Sequence, residues 1–341
     1  MNIKSLLLGS AAALAAVSGA QAADAIIAAE PEPMEYVRVC DAFGTGYFYI
    51  PGTETCLKIG GYIRFQVNAD SRDGAFGDEN WDAFTRGRLE VVSKSDTELG
   101  ELTGFMAIHG DTQNNFTGDD SFYMDEVYLQ LGGFKAGTYL NWWDKGINGE
   151  TDRLDSTFGT RWTSVAYVYT GDAFTAGLQV DEIEFDDGIF TSTSRDLGVE
   201  AIVTASLGAA SVDLLGSYDF LNEDGAVRAI VSAEVGPGTL QLAGVWASGA
   251  NVYYDRAEWT IAGSYAFKAT ERFTITPGAQ YFDSTSIDAS GDFTGGDGWR
   301  AGLTVDYAVT QGMAVKVTAN YNDFDGADDF WNGFVRLQRN F

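Results

Sequence analysis

The sequence predicts an all-β fold, a 16-stranded antiparallel β-barrel that crosses a membrane. First, apolar residues recur at every second position over segments of about ten residues, which is the period of a β-strand. Second, no apolar stretch beyond the N-terminal leader approaches the roughly 20 residues that a membrane helix requires. Third, long and short connections alternate along the chain, as they do in outer-membrane barrels. Sixteen strands enclose a lumen that their own side chains cannot fill.

Residues 1–22 have the pattern of a removable export signal. Lys4 precedes an alanine-rich apolar run, and the segment ends in Ala20, Gln21 and Ala22, which form an A-x-A cleavage site. The run is too short for a membrane helix, and no stop-transfer segment follows it. The mature chain is therefore expected to begin at Ala23.

The first barrel strand is predicted at residues 57–68, where two faces separate cleanly. Ile59, Ile63 and Phe65 share one face, whereas Lys58 and Arg64 share the other, because successive side chains of a strand point to opposite sides. The remaining strands are predicted near residues 82–94, 100–110, 121–132, 134–142, 162–170, 173–182, 195–206, 210–219, 226–235, 239–248, 255–267, 272–283, 298–309, 313–322 and 330–341.

The connections distinguish the two ends of the predicted barrel. The long, mostly acidic loops are predicted near residues 69–81, 111–120, 143–161, 183–194, 220–225, 249–254, 284–297 and 323–329. The turns between them, such as Gly171 to Asp172, are tight. A soluble β-sandwich would carry polar residues on its outward face. Here the outward candidates include Val227, Val231 and Val235, which favours lipid outside and water inside.

The composition argues against several classes of protein. With 21 basic and 49 acidic residues the net charge is −28, so nucleic acid is not an expected partner. The acidity fits solvated loops, or else divalent-cation bridging to anionic lipopolysaccharide. Two cysteines and His109 cannot supply a typical zinc site, and no nucleotide-binding motif indicates a cofactor.

The two cysteines suggest a disulfide. Cys40 and Cys56 lie in an exported chain, where an oxidising compartment favours their pairing. Closing that loop contributes about 3 kcal/mol in the chain-entropy description. The expected organisation is a signal at 1–22, an N-terminal periplasmic segment with the disulfide at 23–56, and the barrel at 57–341.

Three segments resemble the general porins of alphaproteobacteria such as Brucella and other Rhizobiales. They are EYVRVCDAFGTGYFYIPGTETCLKIGGYIRF at 35–65, DEVYLQLGGFKAG at 125–137 and GFVRLQRNF at 333–341. The resemblance implies a trimeric, water-filled diffusion channel in the outer membrane, surrounded by its lipids and open to small hydrophilic solutes. It also implies that the loop after the fifth strand folds into the lumen as a constriction loop.

Candidate constriction residues follow from the strand count and from side-chain alternation. The loop at 143–161 carries four acids, and strands one and two carry four basic residues on their predicted lumen face. Opposed charges across a narrow aqueous passage orient dipolar solutes and tune ion selectivity. The candidate acids are Asp144, Glu150, Asp152 and Asp155, and the candidate bases are Lys58, Arg64, Arg86 and Arg88.

Two further features bear on assembly. The predicted outer face of the second strand, from Ala83 through Gly87 to Val91, is small for lipid contact and suggests a subunit interface of the homotrimer. Phe341 ends a strand that must pair with the first strand, because an unpaired edge is costly in lipid. Phe341 is therefore a candidate assembly signal.

Other functions remain open alternatives at this point. A substrate-specific channel for sugars or anions is the closest, since Tyr62, Phe84 and Tyr128 are predicted to point inward, although three scattered aromatics do not form a ladder. An outer-membrane hydrolase would need a serine beside His109, and the loop at 111–120 has none. A calcium-stabilised adhesin would draw on 290–298 and 325–329, but neither spacing matches an EF-hand. We therefore expect a channel and no enzyme.

Overall fold

A computed structural model describes residues 38–76, 79–113, 121–184 and 195–341 of the chain. The predicted signal at 1–22 and the stretch at 23–37 lie outside these ranges, as do parts of three predicted long loops. No helix in the described residues is long and apolar enough to span a bilayer.

The described residues form seventeen strands, of which the first has only two residues. The strands are β1 (Phe48–Tyr49), β2 (Cys56–Asp70), β3 (Trp81–Thr97), β4 (Gly100–Gln113), β5 (Ser121–Leu131), β6 (Phe134–Leu140), β7 (Arg161–Thr170), β8 (Phe174–Glu184), β9 (Arg195–Ser206), β10 (Ala210–Asp219), β11 (Asp224–Val235), β12 (Gly238–Ala247), β13 (Trp259–Lys268), β14 (Phe273–Ile287), β15 (Phe293–Thr310), β16 (Met313–Phe324) and β17 (Phe330–Asn340).

Strands β2 to β17 form a closed antiparallel barrel, and the predicted 16-stranded fold is confirmed. Each strand pairs with its neighbours in sequence, and β17 pairs with β2, from Asn332 with Asp70 to Asn340 with Tyr62. Closure leaves no sheet edge, so every strand finds hydrogen-bond partners on both sides within the barrel wall.

The predicted strands match the observed ones closely, with two differences. The strand predicted from 255 begins at Trp259, because the residues before it form a turn in which Asn251 and Tyr254 exchange backbone hydrogen bonds of 3.1 Å. The loop predicted at 284–297 is largely strand, because β14 and β15 continue pairing to Ile287 and Phe293. Alternation weakens at both places, so local sequence marked the boundaries poorly.

The two surfaces of the barrel differ in polarity as predicted. On β2, Ile59 and Ile63 are 51% and 52% exposed on the outside, whereas Gln66 on the inside is 7% exposed. The same contrast recurs on β11, where Val227 is exposed and Arg228 is buried. An apolar exterior of this extent is stable in lipid and not in water.

Aromatic side chains mark two levels on the outer surface. At the long-loop end the ring of Trp259 contacts that of Tyr281, and the ring of Trp299 contacts that of Tyr321. The ring centroids of the two pairs are 5.5 and 5.4 Å apart. At the short-turn end Tyr307 contacts Phe273, with centroids 4.5 Å apart. Eight residue steps separate Trp299 from Tyr307, about 20 Å after allowing for strand tilt. The two aromatic girdles therefore bracket a band of bilayer height.

The segment before the barrel is held by the predicted disulfide. Cys40 and Cys56 are bonded and fully buried, and Tyr47 packs with them. The bridge attaches this segment to the first residue of β2, where β1 adds a short pairing. Residues Val39–Phe341 cluster as one compact unit.

Candidate pore constriction

The connection between β6 and β7, residues 141–160 and called L3 below, folds into the barrel as the resemblance implied. Its ends stay together, because Asn141 N donates to Thr160 O at 2.7 Å. Its middle crosses to the opposite wall. There the amides of Asn148 and Arg153 donate to the side-chain oxygens of Gln241 and Gln280, each at 2.6 Å. L3 is therefore a strap across the lumen and not a loop above it.

The root of L3 is fixed by a buried arginine. Arg228 of β11 is 2% exposed, and its guanidinium donates to the carbonyl oxygens of Trp143 at 2.9 Å and Trp142 at 2.6 Å. The same guanidinium lies 5.0 Å from the centre of the Trp143 ring. Hydrogen bonds from a charged donor contribute about 1.5–3 kcal/mol each, so this contact resists displacement of the loop.

A second loop fills the lumen behind L3. Residues 249–254, predicted as an outer loop, turn inward, and Val252, Tyr253 and Tyr254 are buried against Trp143 and Leu154 of L3. This apolar packing occupies the lumen beside β7 to β13. The open passage is consequently displaced toward β2 to β5 and β15 to β17.

The four candidate acids lie on L3 in different environments. Glu150 faces the passage, with its carboxylate 2.7 Å from Lys316 Nζ and 3.9 Å from an Arg336 nitrogen. Asp155 lies 3.3 Å from Arg256. Asp144 accepts a hydrogen bond from Thr160 at 2.7 Å, and Asp152 one from the Ile147 amide at 3.4 Å. The bases that face these acids therefore come from β16, β17 and the segment before β13.

The four candidate bases divide into two groups. Arg64 is bonded to Gln338 at 2.8 Å and interacts electrostatically with Glu150 and Arg86. Arg86 makes two 2.6 Å hydrogen bonds to Asp111 of the adjacent strand.

The other two bases are occupied elsewhere. Arg88 pairs with Glu90, Asp125 and Glu126 on the wall. Lys58 lies over the Tyr47 ring, about 20 Å along β2 from Arg64. The structure therefore brings Arg64 within electrostatic reach of Glu150 and places Arg86 beside Arg64, and it does not pair Arg88 or Lys58 with the acids of L3.

Lys316 and Arg336, which contact Glu150, are candidate constriction residues that the sequence analysis did not select. They are directly paired across β16 and β17. Arg336 also donates to Gln66 of β2 at 2.6 Å. By side-chain alternation Arg336 lies on the inner face of β17. The missing information was where Glu150 of L3 reaches the barrel wall, which the structure places at β16 and β17, beside the seam with β2.

Known proteins that are similar to this chain agree with this geometry. The family described as Porin subfamily matches residues 24–337. The chain belongs to this porin family.

Curated relatives extend over essentially the whole porin. "Putative outer membrane protein y4fJ" of Sinorhizobium fredii is 54% identical, covering 100% of this chain and 99% of the relative. "Outer membrane protein IIIA" of Rhizobium leguminosarum bv. viciae is 46% identical over 98% and 93% of the two chains. "Porin Omp2b" of Brucella suis is 35% identical over 100% of both.

Solved structures share the fold at low sequence identity. A loop-deletion mutant of OmpT, an outer membrane protein of Vibrio cholerae, superposes with a TM-score of 0.63 at 14% identity, covering 85% of this porin and 100% of that chain. A mutant of Rh. blastica porin gives a TM-score of 0.58 at 15% identity, covering 84% and 100%. These likenesses support the barrel architecture.

The buried carboxyl group of Asp152 predicts that the ion selectivity of this porin depends on pH. Burial raises the pKa of the Asp152 carboxyl to about 6 from 3.8, so its contribution to stability falls as pH rises between these values. The carboxylate is charged at pH 8 and largely neutral at pH 5. We expect the cation-to-anion permeability ratio, measured from the reversal potential in a salt gradient, to be lower at pH 5 than at pH 8.

The Asp152→Asn variant should have the lower cation-to-anion permeability ratio at both pH values. Asp144→Asn, which changes an exposed acid of the same loop, should retain the pH dependence. A pH dependence that survives in Asp152→Asn would assign the titration to another group.

Proposed function

We propose that this porin is a general diffusion channel of the outer membrane, through which small hydrophilic solutes and ions pass without a dedicated carrier step. The observation that carries the proposal is the meeting of L3 with the opposite wall at Glu150, Lys316 and Arg336. This contact joins the strap to the wall across the lumen, and Arg64 and Arg86 continue the polar wall beside it.

The charges at the constriction favour selection by size and polarity. Glu150 lies on the strap, whereas Arg64 and Arg336 lie on the barrel wall. Such a separation creates a field across the passage, which aligns dipolar solutes and disfavours apolar ones. The field acts on any small polar solute, as a general channel requires.

The inward aromatic residues do not favour the sugar-channel alternative. Tyr128 stacks on Phe105 with ring centroids 4.9 Å apart and contacts Tyr139 at 5.8 Å. Lys135 lies 4.0 Å from the Tyr128 ring centre and 3.6 Å from that of Tyr139. These rings cover one another and a lysine, so they do not present a continuous stacking surface to a solute.

We propose that the functional unit is a homotrimer, embedded in outer-membrane lipids and lipopolysaccharide. The outward row of β3, from Ala83 through Gly87 to Val91, combines small residues with Leu89, which is 41% exposed. Beside it, β2 presents Ile63 and Phe65. Small residues allow close approach of a second barrel. A Vibrio cholerae OmpT structure, similar in fold, is described as a trimer form.

Planar bilayer recording tests channel function and assembly together. Purified porin should insert in stepwise events, each closing through three equal sublevels, with conductance nearly proportional to KCl concentration. A conductance that saturates with one solute would support the substrate-specific alternative. Insertion events that always close in a single step would contradict the trimer.

A further inference from the structure

A cavity of about 450 Å³ lies on the long-loop side of L3, between the loop and the barrel wall. Its lining includes Arg153 of L3, Arg256 before β13 and Arg300 of β15, and among the described residues it includes no acidic one. Three guanidinium groups around one cavity are unexpected in a protein with 49 acidic and 21 basic residues. The cavity is therefore a local positive site in an acidic molecule.

Arg300 is buried in this cavity with unpaired guanidinium nitrogens. Its residue is 4% exposed, yet its Nε and one terminal nitrogen make no hydrogen bond in the described residues. An unpaired buried guanidinium is costly, because it has left water without a compensating acceptor. Arg153 and Arg256 add repulsion, which Asp152 and Asp155 partly offset, since all four groups act electrostatically on Arg300. A bound anion would relieve both costs.

The other two arginines leave the cavity positively charged. Arg256 is partly compensated by Asp155 at 3.3 Å. The Arg153 guanidinium donates to the Asp152 backbone carbonyl at 2.9 Å, and no carboxylate of the described residues lies within ion-pair distance of it. Burial, followed by repulsion from Arg256, lowers the pKa of Arg153. A guanidinium nevertheless remains charged at neutral pH.

Aromatic residues line the cavity beside Arg300. Phe282 and Phe324, whose ring centroids are 5.3 Å apart, both pair with Gly298, two residues before Arg300 on β15, and Phe330 also lines the cavity. Asn322, which pairs with Arg300, and Asn332 add neutral polar groups to the lining. A ligand that fills the site would therefore combine an anionic group with an apolar or aromatic body.

The cavity lies next to the constriction. Arg153 and Asn332 also line a neighbouring cavity of about 190 Å³, which Glu150 borders. A solute bound at these arginines from the long-loop side would thus lie next to Glu150 of the candidate constriction. Because long loops face the cell exterior in outer-membrane barrels, the site is placed to meet solutes on entry.

We propose that Arg153, Arg256 and Arg300 form a binding site for small aromatic carboxylates on the outer side of the constriction. The carboxylate accepts hydrogen bonds from Arg300 and Arg153, and the ring packs against Phe282 and Phe324. The proposal rests on the proposed channel function and adds a preferred class of solute to it. Binding must remain weak for release, with a dissociation constant on the order of 1 mM.

The test uses the folded porin in detergent and in a planar bilayer at pH 7.5. Benzoate is titrated by calorimetry and, in KCl, from each side of the bilayer while the current is recorded. We expect saturable binding of benzoate and saturable block from the long-loop side. Benzamide, the neutral isostere, and inorganic phosphate, an anion without a ring, should each bind at least tenfold more weakly.

Variants locate the site. Arg300→Gln should weaken benzoate binding about tenfold or more, since it removes a forked charged donor. Arg153→Gln provides a second variant on L3, where the backbone contacts of Arg153 with Gln280 are retained. Arg272→Gln removes an exposed arginine at a short turn and should leave benzoate binding unchanged.

Three results would overturn the proposal. They are equal binding of benzamide and benzoate, equal binding of phosphate and benzoate, and benzoate binding that is unchanged in both Arg300→Gln and Arg153→Gln. Ordinary KCl conductance would persist in each case if the channel function is correct, so failure of the site and failure of the channel are distinguishable.

Discussion

Deletion of residues 146–155 from L3 is expected to raise single-channel conductance about twofold or more, because the strap that narrows the lumen is removed. The loop should still close, since Asn141 and Thr160 are hydrogen-bonded across its base at 2.7 Å. Eight residues, 142–145 and 156–159, remain to join them. Arg228 keeps its carbonyl acceptors at Trp142 and Trp143. Single-channel recording in KCl measures the effect.

A matched deletion of ten residues, 285–294, controls for general damage to the barrel. It leaves Ser284, Gly295 and Gly296 as a turn between Asp283 and Asp297, which are paired in the barrel. This deletion shortens a hairpin at the outer rim, and conductance should change little. If both deletions raised conductance equally, L3 would not be the constriction.

Removal of Phe341 is expected to lower the amount of folded porin in the outer membrane about tenfold or more. Phe341 N donates to Gly61 O at 3.1 Å, and Gly61 N donates to Phe341 O at 3.2 Å. Without Phe341 both groups of Gly61 lose their partners where β2 and β17 close the barrel, and unpaired backbone groups in lipid cost several kcal/mol each. Heat-modifiable mobility of the membrane fraction on gels measures the folded amount.

Two substitutions separate the backbone from the ring. Phe341→Tyr keeps the hydrogen bonds and an interfacial aromatic, so its folded amount should be normal. Phe341→Ala keeps the hydrogen bonds but loses the ring, which is 59% exposed toward the membrane interface, so its folded amount should be intermediate. Normal amounts of the truncated protein would show that the last pairing does not limit assembly.

The strands of the barrel were predictable because their signal is local. In β2 and β17 lipid lies on one side and water on the other. The polarity of the residues therefore alternates with a period of two, which can be seen in the sequence of each strand. The disulfide was predictable for a related reason, since Cys40 and Cys56 had only each other to pair with. Prediction was weakest at β13, β14 and β15, whose boundaries follow turns and hairpin extensions that have no strong periodicity.

The constriction was only partly predictable from the sequence. The length and acidity of L3 identified Glu150, but its basic partners lie more than 160 positions away in Lys316 and Arg336. Charge alone could not select among the arginines of the lumen. The structure shows that wall carboxylates already neutralise Arg88, whereas Lys316 pairs with the strap.

The sequence by itself determined the barrel, its strand order, its inner and outer faces and the disulfide, because alternation and pairing of neighbours are properties of short segments. Tertiary structure alone decided which lumen groups meet. It brought Glu150 to Lys316 and Arg336, turned residues 249–254 inward and brought Arg153, Arg256 and Arg300 around one cavity. These contacts join distant segments across the lumen, so their energies depend on burial and on distances that no local pattern encodes.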